Sequence, residues 1–150
     1  MRAVLLREFG GPELLNLEEV SAPDPTALND GEVLIRVHAC GVCYHDIINR
    51  RGDLPRTRVP LILGHEIAGD VVATGESVDR FSPGDRVACV QRTHCNTCEI
   101  CQNNRPTLCK NGSFIGEQIP GGYAEYAVVP THALSEIPPS IPYAEASICA

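Results

Sequence analysis

Four cysteines, Cys95, Cys98, Cys101 and Cys109, fall within fifteen residues in the spacing C-x2-C-x2-C-x7-C. Thiolates at that density repel one another unless a divalent cation neutralises them, and four sulfurs suit a tetrahedral structural zinc with no open position. Such a site staples a loop and does no chemistry on a substrate. Two other chemistries fit in part. A bacterial iron–sulfur run puts its fourth cysteine three residues on, before proline, whereas here the gap is seven and Lys110 follows. Eight cysteines in all would allow disulfides. Met1-Arg2-Ala3, however, leads straight into the strand-like Val4-Leu5-Leu6 with nothing secretory about it, and a reducing cytosol opposes disulfides.

A second group is spread along the chain. Cys43 precedes a helical turn, Gly64-His65-Glu66 follows the run Val59-Pro60-Leu61-Ile62-Leu63, and Cys149 stands near the end of the sequence. One thiolate, one imidazole and a further cysteine would give zinc three protein ligands and leave the fourth position to water or substrate, the architecture of a catalytic site. Spacing alone does not separate this from buried apolar cysteines and a satisfied core histidine. Cys40 and Cys43 also form a CxxC, the pattern of a redox pair. Cys89, on a strand, reads as core.

The elements that must position these residues are mainly β. Arg2 to Arg7, Leu14 to Val20, Glu32 to Ala39, Glu66 to Thr74, Asp85 to Val90 and Gly122 to Val129 read as strands, separated by turns such as Gly10-Gly11-Pro12, Asn29-Asp30-Gly31 and Ser82-Pro83-Gly84-Asp85. In Glu32 to Ala39 the residues Val33, Ile35 and Val37 alternate with Leu34, Arg36 and His38, so one face is expected to be buried. Helical signal is confined to Tyr44 to Arg50, stopped at Gly52, and to a helix opened by Pro142 that carries Ala144, Ile148 and Cys149. Segment 92 to 118 shows no periodicity, and a loop of that length in a compact domain needs a staple.

Composition sets the outer bounds. A chain of 150 residues is about one domain. A net charge of -7 argues against a nucleic-acid surface, and no apolar run approaches the ~18 residues of a membrane helix. Thirteen glycines and twelve prolines, with no tryptophan, fit many turns between short strands.

Cys40-Gly41-Val42-Cys43-Tyr44-His45-Asp46, Gly64-His65-Glu66-Ile67-Ala68-Gly69, Gly84-Asp85-Arg86-Val87, the four-cysteine lobe and Gly121-Gly122-Tyr123-Ala124-Glu125-Tyr126 occur in this order. Together they resemble the N-terminal catalytic domain of zinc-dependent medium-chain dehydrogenases, the alcohol dehydrogenase family. The resemblance covers nearly the whole chain. It implies a mainly β fold, a GroES-like partly open barrel with a few short helices and a zinc-stapled lobe. By position it implies Cys43, His65 and Cys149 as ligands of a catalytic zinc, and Cys95, Cys98, Cys101 and Cys109 as ligands of a structural zinc, two zinc per chain. Glu66 matches the acidic neighbour of the metal, and Asp46 the carboxylate that orients the ligand histidine, a role compatible with capping the helix. Tyr44 falls where relatives contact coenzyme phosphate.

His45 departs from the pattern. Many alcohol-oxidising members carry Ser or Thr there as a proton relay. A histidine either replaces the relay as an acid/base or leaves the site without one, as in relatives that reduce enoyl thioesters. Arg50 and Arg51 fit either an anionic ligand or a solvated helix end. His38, His94 and His132 carry no strong functional signal.

No glycine-rich dinucleotide turn follows a strand, so a coenzyme-binding Rossmann domain is absent from these residues. The expectation is a catalytic domain over 1–150, its lobe at about 92–118, truncated before the domain that binds NAD or NADP. By itself it would be inactive, since the coenzyme cannot be positioned. The implied whole protein is a cytoplasmic homo-oligomer that interconverts alcohols and aldehydes or ketones, binding neither nucleic acid nor membrane. Two readings compete with it: a zinc-bearing enoyl-thioester reductase, and a non-enzymatic zinc-binding interaction module.

Overall fold

The computed structural model describes residues 1–149. Strands β1 (Arg2–Leu6), β2 (Leu15–Glu19) and β4 (Leu61–Ile62) form one antiparallel sheet in the order β2-β1-β4. Strands β3 (Glu32–Gly41), β5 (Glu66–Thr74), β6 (Arg86–Cys89), β7 (Tyr126–Pro130) and β8 (Leu134–Glu136) form a second, in the order β7-β3-β5-β6-β8. Three short helices accompany them, α1 (Tyr44–Arg51), α2 (Glu99–Gln102) and α3 (Tyr143–Ser147). The sheets do not close into a barrel, but Val4 N donates to Tyr123 O at 2.7 Å and Glu125 N to Arg2 O at 3.1 Å, joining them along one side. The mainly β, partly open architecture expected from the sequence is the one found.

The main core lies against the larger sheet and gathers Val33, Ile35, Ile67, Val71, Phe81, Val87, Ile115, Val129 and Leu134. The alternation along β3 buries Val33 and Ile35 as expected, yet Leu34 on the opposite face is 3% exposed. β3 is an interior strand covered on both sides at that point, and its register with β5 shifts between Leu34 and Ile35.

Four expectations change. The strand read as Gly122 to Val129 begins only at Tyr126, because Gly121, Gly122 and Tyr123 donate their N–H groups to Ile62, Gly64 and Leu63. β4 and β8, two and three residues long, are too short to show a period. Segment 92 to 118 contains α2 and a 3-10 turn over Pro106–Leu108. Pro142 stands before α3 as its cap, and the helix ends at Ser147, so Ile148 and Cys149 lie beyond it.

Candidate metal centres and the catalytic face

The β3–β5 ladder builds the site. It sets Gly41 opposite Glu66 and Cys40 opposite Ile67, so the chain leaving β3 at Cys43 meets the chain entering β5 at His65. Gly64 turns the chain there with φ +89; a Cβ on it would lie 2.5 Å from the Tyr123 ring and 2.8 Å from Cys40 Sγ. Only glycine fits both the left-handed backbone and that gap. Ligand atoms of Cys43, His65 and Glu66 then lie within 4.8 Å of one another.

Asp46 stands behind this group. It is 4% exposed, in the first turn of α1, and accepts hydrogen bonds from Cys43 N (2.9 Å), Tyr123 OH (3.0 Å) and Gly64 N (3.1 Å). His65 Nδ1 lies 3.5 Å from Asp46 Oδ1 and has no closer partner, which leaves Nε2 as the atom available to a metal. Desolvation works to raise the Asp46 carboxyl, but the donors from His65, Cys43 and Tyr123 outweigh it and hold it below its ordinary range. A carboxylate so fixed sets the imidazole tautomer and strengthens it as a ligand. It also caps α1 through the Cys43 N–H, so both readings of Asp46 hold in one geometry.

In the lobe, the four sulfurs are separated by 3.5 Å (Cys98–Cys101 and Cys95–Cys109), 3.9 Å (Cys98–Cys109) and 4.0 Å (Cys95–Cys101). A tetrahedron of sulfurs each about 2.3 Å from zinc has edges of about 3.8 Å. The sulfurs are too far apart for disulfides, and all eight cysteines are free. Hydrogen bonds from Thr97 and Cys98 pull the Cys95 thiol down to about 5, while desolvation and the neighbouring thiols push Cys101 up to about 12. Thiols pulled in opposite directions within one cluster fit a bound dication. The donor set and its spacing therefore fit zinc at the lobe, and Cys43 with His65 fits it at the second group.

Cys149 is not brought there. It is exposed, its thiol donates to Glu145 O at 3.4 Å in the turn after α3, and it borders a groove shared with Cys89 and Ile137. Glu66, not Cys149, is the third metal-ligating side chain gathered with Cys43 and His65 in this arrangement. Tyr44 opens α1 and is 67% exposed, beside Val42 at 79%. Arg50 is not a solvated helix end: it is buried and donates to Gly10 O, while Arg51 is exposed. Burial pushes the Cys40 thiol up to about 12, which counts against a redox pair with Cys43.

His45 meets residues that sequence reasoning missed. Gln91 Nε2 donates to His45 Nδ1 at 3.2 Å, and His45 Nε2 lies 3.2 Å from Glu117 Oε2. Its ring stands 5.4 Å from that of His65 and 6.3 Å from that of Phe114, centroid to centroid. Gln91, Phe114 and Glu117 belong to no motif; only their position at the two roots of the lobe could have drawn attention. Tyr123, by contrast, sits inside a segment already singled out. A groove of about 480 Å³ between β1, β4 and β7 shares no residue with either group.

A family model described as "Alcohol dehydrogenase GroES-like domain" matches residues 29–139. The chain belongs to this family. An alcohol dehydrogenase of Geobacillus stearothermophilus is 37% identical over 143 residues, covering 94% of this chain and 41% of the relative. An acryloyl-coenzyme A reductase of Metallosphaera sedula is 33% identical over 138 residues, covering 92% and 40%. The crystal structure of AibC superposes with a TM-score of 0.92 at 51% identity, covering 98% of this chain and 40% of that one. A thermostable alcohol dehydrogenase from Pyrobaculum aerophilum, described as cobalt and zinc bound, gives 0.87 at 36% identity, covering 98% and 44%. The chain thus spans about two fifths of the length of the relatives it matches. Among the described residues no helix is long and apolar enough to cross a membrane.

Proposed function

We propose that this GroES-like chain is the catalytic domain of a zinc-dependent, NAD(P)-linked oxidoreductase that interconverts alcohols and aldehydes or ketones. The observation that carries it is the gathering of Cys43, His65 and Glu66 within 4.8 Å, with buried Asp46 behind the imidazole. Zinc bound there would supply Lewis acidity to a carbonyl or alcohol oxygen. Cys43 and His65 would hold the metal, and Asp46 orients His65. Glu66, seated against Gly41, would supply an exchangeable carboxylate beside a bound metal. Exposed Tyr44 and Val42 flank Cys43 and form the face presented to coenzyme. The coenzyme itself belongs to a domain elsewhere in a longer, homo-oligomeric, cytoplasmic protein, and the chain alone transfers no hydride.

A second reading within the family has its own support. The two ring nitrogens of His45 face Gln91 and Glu117, which supports a reading in which the position does not serve as the proton relay of an alcohol oxidiser. That favours reduction of an activated double bond, such as that of an enoyl thioester, the class to which the name of the Metallosphaera relative refers. Assay of the full-length protein with NADH and NADPH against aldehydes, ketones and enoyl thioesters separates the two. Turnover that survives Cys43→Ser with His65→Ala would refute the metal-assisted reading in either case.

A further inference from the structure

The chain of contacts that ends on His45 begins at the roots of the four-cysteine lobe. Ile115 N donates to Gln91 O at 3.0 Å and Thr93 N to Ser113 O at 2.9 Å, so the two stems of the lobe run side by side. Gln91 hangs from one stem and Glu117 from the turn that follows the other. The Glu117 side chain is 6% exposed and is itself held, since Gln118 Nε2 donates to its Oε1 while Gln118 Oε1 accepts from Phe114 N at 2.8 Å. A buried carboxylate facing His45 Nε2 can only accept. With Glu117 accepting at Nε2 and the Gln91 amide presenting its NH2 to Nδ1, the neutral ring carries its proton on Nε2 and its lone pair on Nδ1. Every donor in the chain then meets an acceptor, whereas moving the proton to Nδ1 would set a lone pair against the Glu117 carboxylate.

We propose that Gln91 and Glu117 are positioning residues that clamp His45 in one orientation and as the Nε2–H tautomer, fixing the wall of the catalytic face next to His65. This rests on the reading of Cys43, His65 and Glu66 as the catalytic metal group, but the clamp is formed by the chain itself and its test needs neither metal at that group nor turnover.

Long-range proton–nitrogen NMR of histidine-labelled chain reads the tautomer of each ring directly, with His45 assigned through the loss of its signals in His45→Gln. The wild type should show a single Nε2–H form at His45. Glu117→Gln keeps the volume but breaks the pattern: whichever way its amide turns, an NH2 group faces either His45 Nε2 or the Gln118 NH2. The ratio of tautomers should then move towards Nδ1–H by about tenfold or more, the worth of one charge-assisted hydrogen bond. Gln91→Leu should loosen the same preference from the other side without touching Glu117, and amide spectra report whether each variant keeps the fold. A wild-type His45 found as Nδ1–H or as a mixture would overturn the clamp, as would folded variants in which the Nε2–H form persists unchanged. Neither result would touch the metal reading, which fails separately if Cys43 and His65 bind no metal.

Discussion

Replacing Asp46 with asparagine is the most informative single change, because the volume stays and only the hydrogen-bonding pattern is altered. Asp46 Oδ1 faces Gly64 N and His65 Nδ1, and Oδ2 faces Cys43 N and Tyr123 OH. An asparagine can offer an oxygen to only one of these pairs. With its NH2 towards Cys43, a backbone N–H is left facing a donor; turned the other way, Gly64 N and the His65 N–H lose their acceptor. The Tyr123 hydroxyl can rotate to accept, but a backbone N–H cannot. One unsatisfied buried donor costs about 1–3 kcal/mol, and loss of the charge on the remaining bonds adds to it. Because the contacts share one carboxylate they do not sum, and a loss of about 2–4 kcal/mol is expected. Affinity for metal at Cys43 and His65 should fall roughly 10–100-fold, as when a partner behind a ligand histidine is removed. Urea unfolding reads the first quantity and competition with a chromophoric chelator the second. Reduced stability with unchanged affinity would leave Asp46 as a helix cap alone. If neither moves, the account of the site is wrong.

Gly64→Ala places a methyl 2.5 Å from the Tyr123 ring at a φ of +89, so it should displace Tyr123 and Cys40 and lower the unfolding midpoint together with metal affinity. A melt coincident with wild type would contradict the packing described. Cys98→Ser opens the sulfur tetrahedron; it should release one zinc and cost on the order of several kcal/mol, seen as a lower urea midpoint and raised proteolysis within 92–118. Burial, with His94 beside it, holds His132 down to about 4. Above about 6.5 both folded and unfolded chains carry it neutral; as pH falls below that, only the unfolded state takes the proton, until the folded state follows near 4. Stability should therefore drop between these values by on the order of 1–3 kcal/mol. His132→Gln, which can still accept from His94 N, should flatten that slope in urea titrations at stepped pH.

How far each site could be read from the sequence follows from where its contacts lie along the chain. The lobe was readable because its four cysteines are close in sequence and the loop between them shows no periodicity of its own. Cys43 and His65 are joined only by the antiparallel register of β3 and β5, which no spacing rule reveals, and there the motifs of the resemblance supplied the link. Gln91 and Glu117 were invisible: a glutamine after a strand and a glutamate in a loop look like solvated surface until the lobe stems bring both to His45. Cys149 was placed by its position in the motif order, yet the turn after α3 directs its thiol to the Glu145 carbonyl. Strand ends failed where glycine N–H groups crossed to the other sheet, a tertiary choice that local propensity does not register.

Counting zinc in the purified chain tests the central claim most directly, with wild type, Cys98→Ser and the double variant Cys43→Ser, His65→Ala measured side by side. The account predicts two, one and one, with the single ion of the double variant held by the lobe. Retention of both ions in the double variant would contradict a metal centre at Cys43 and His65.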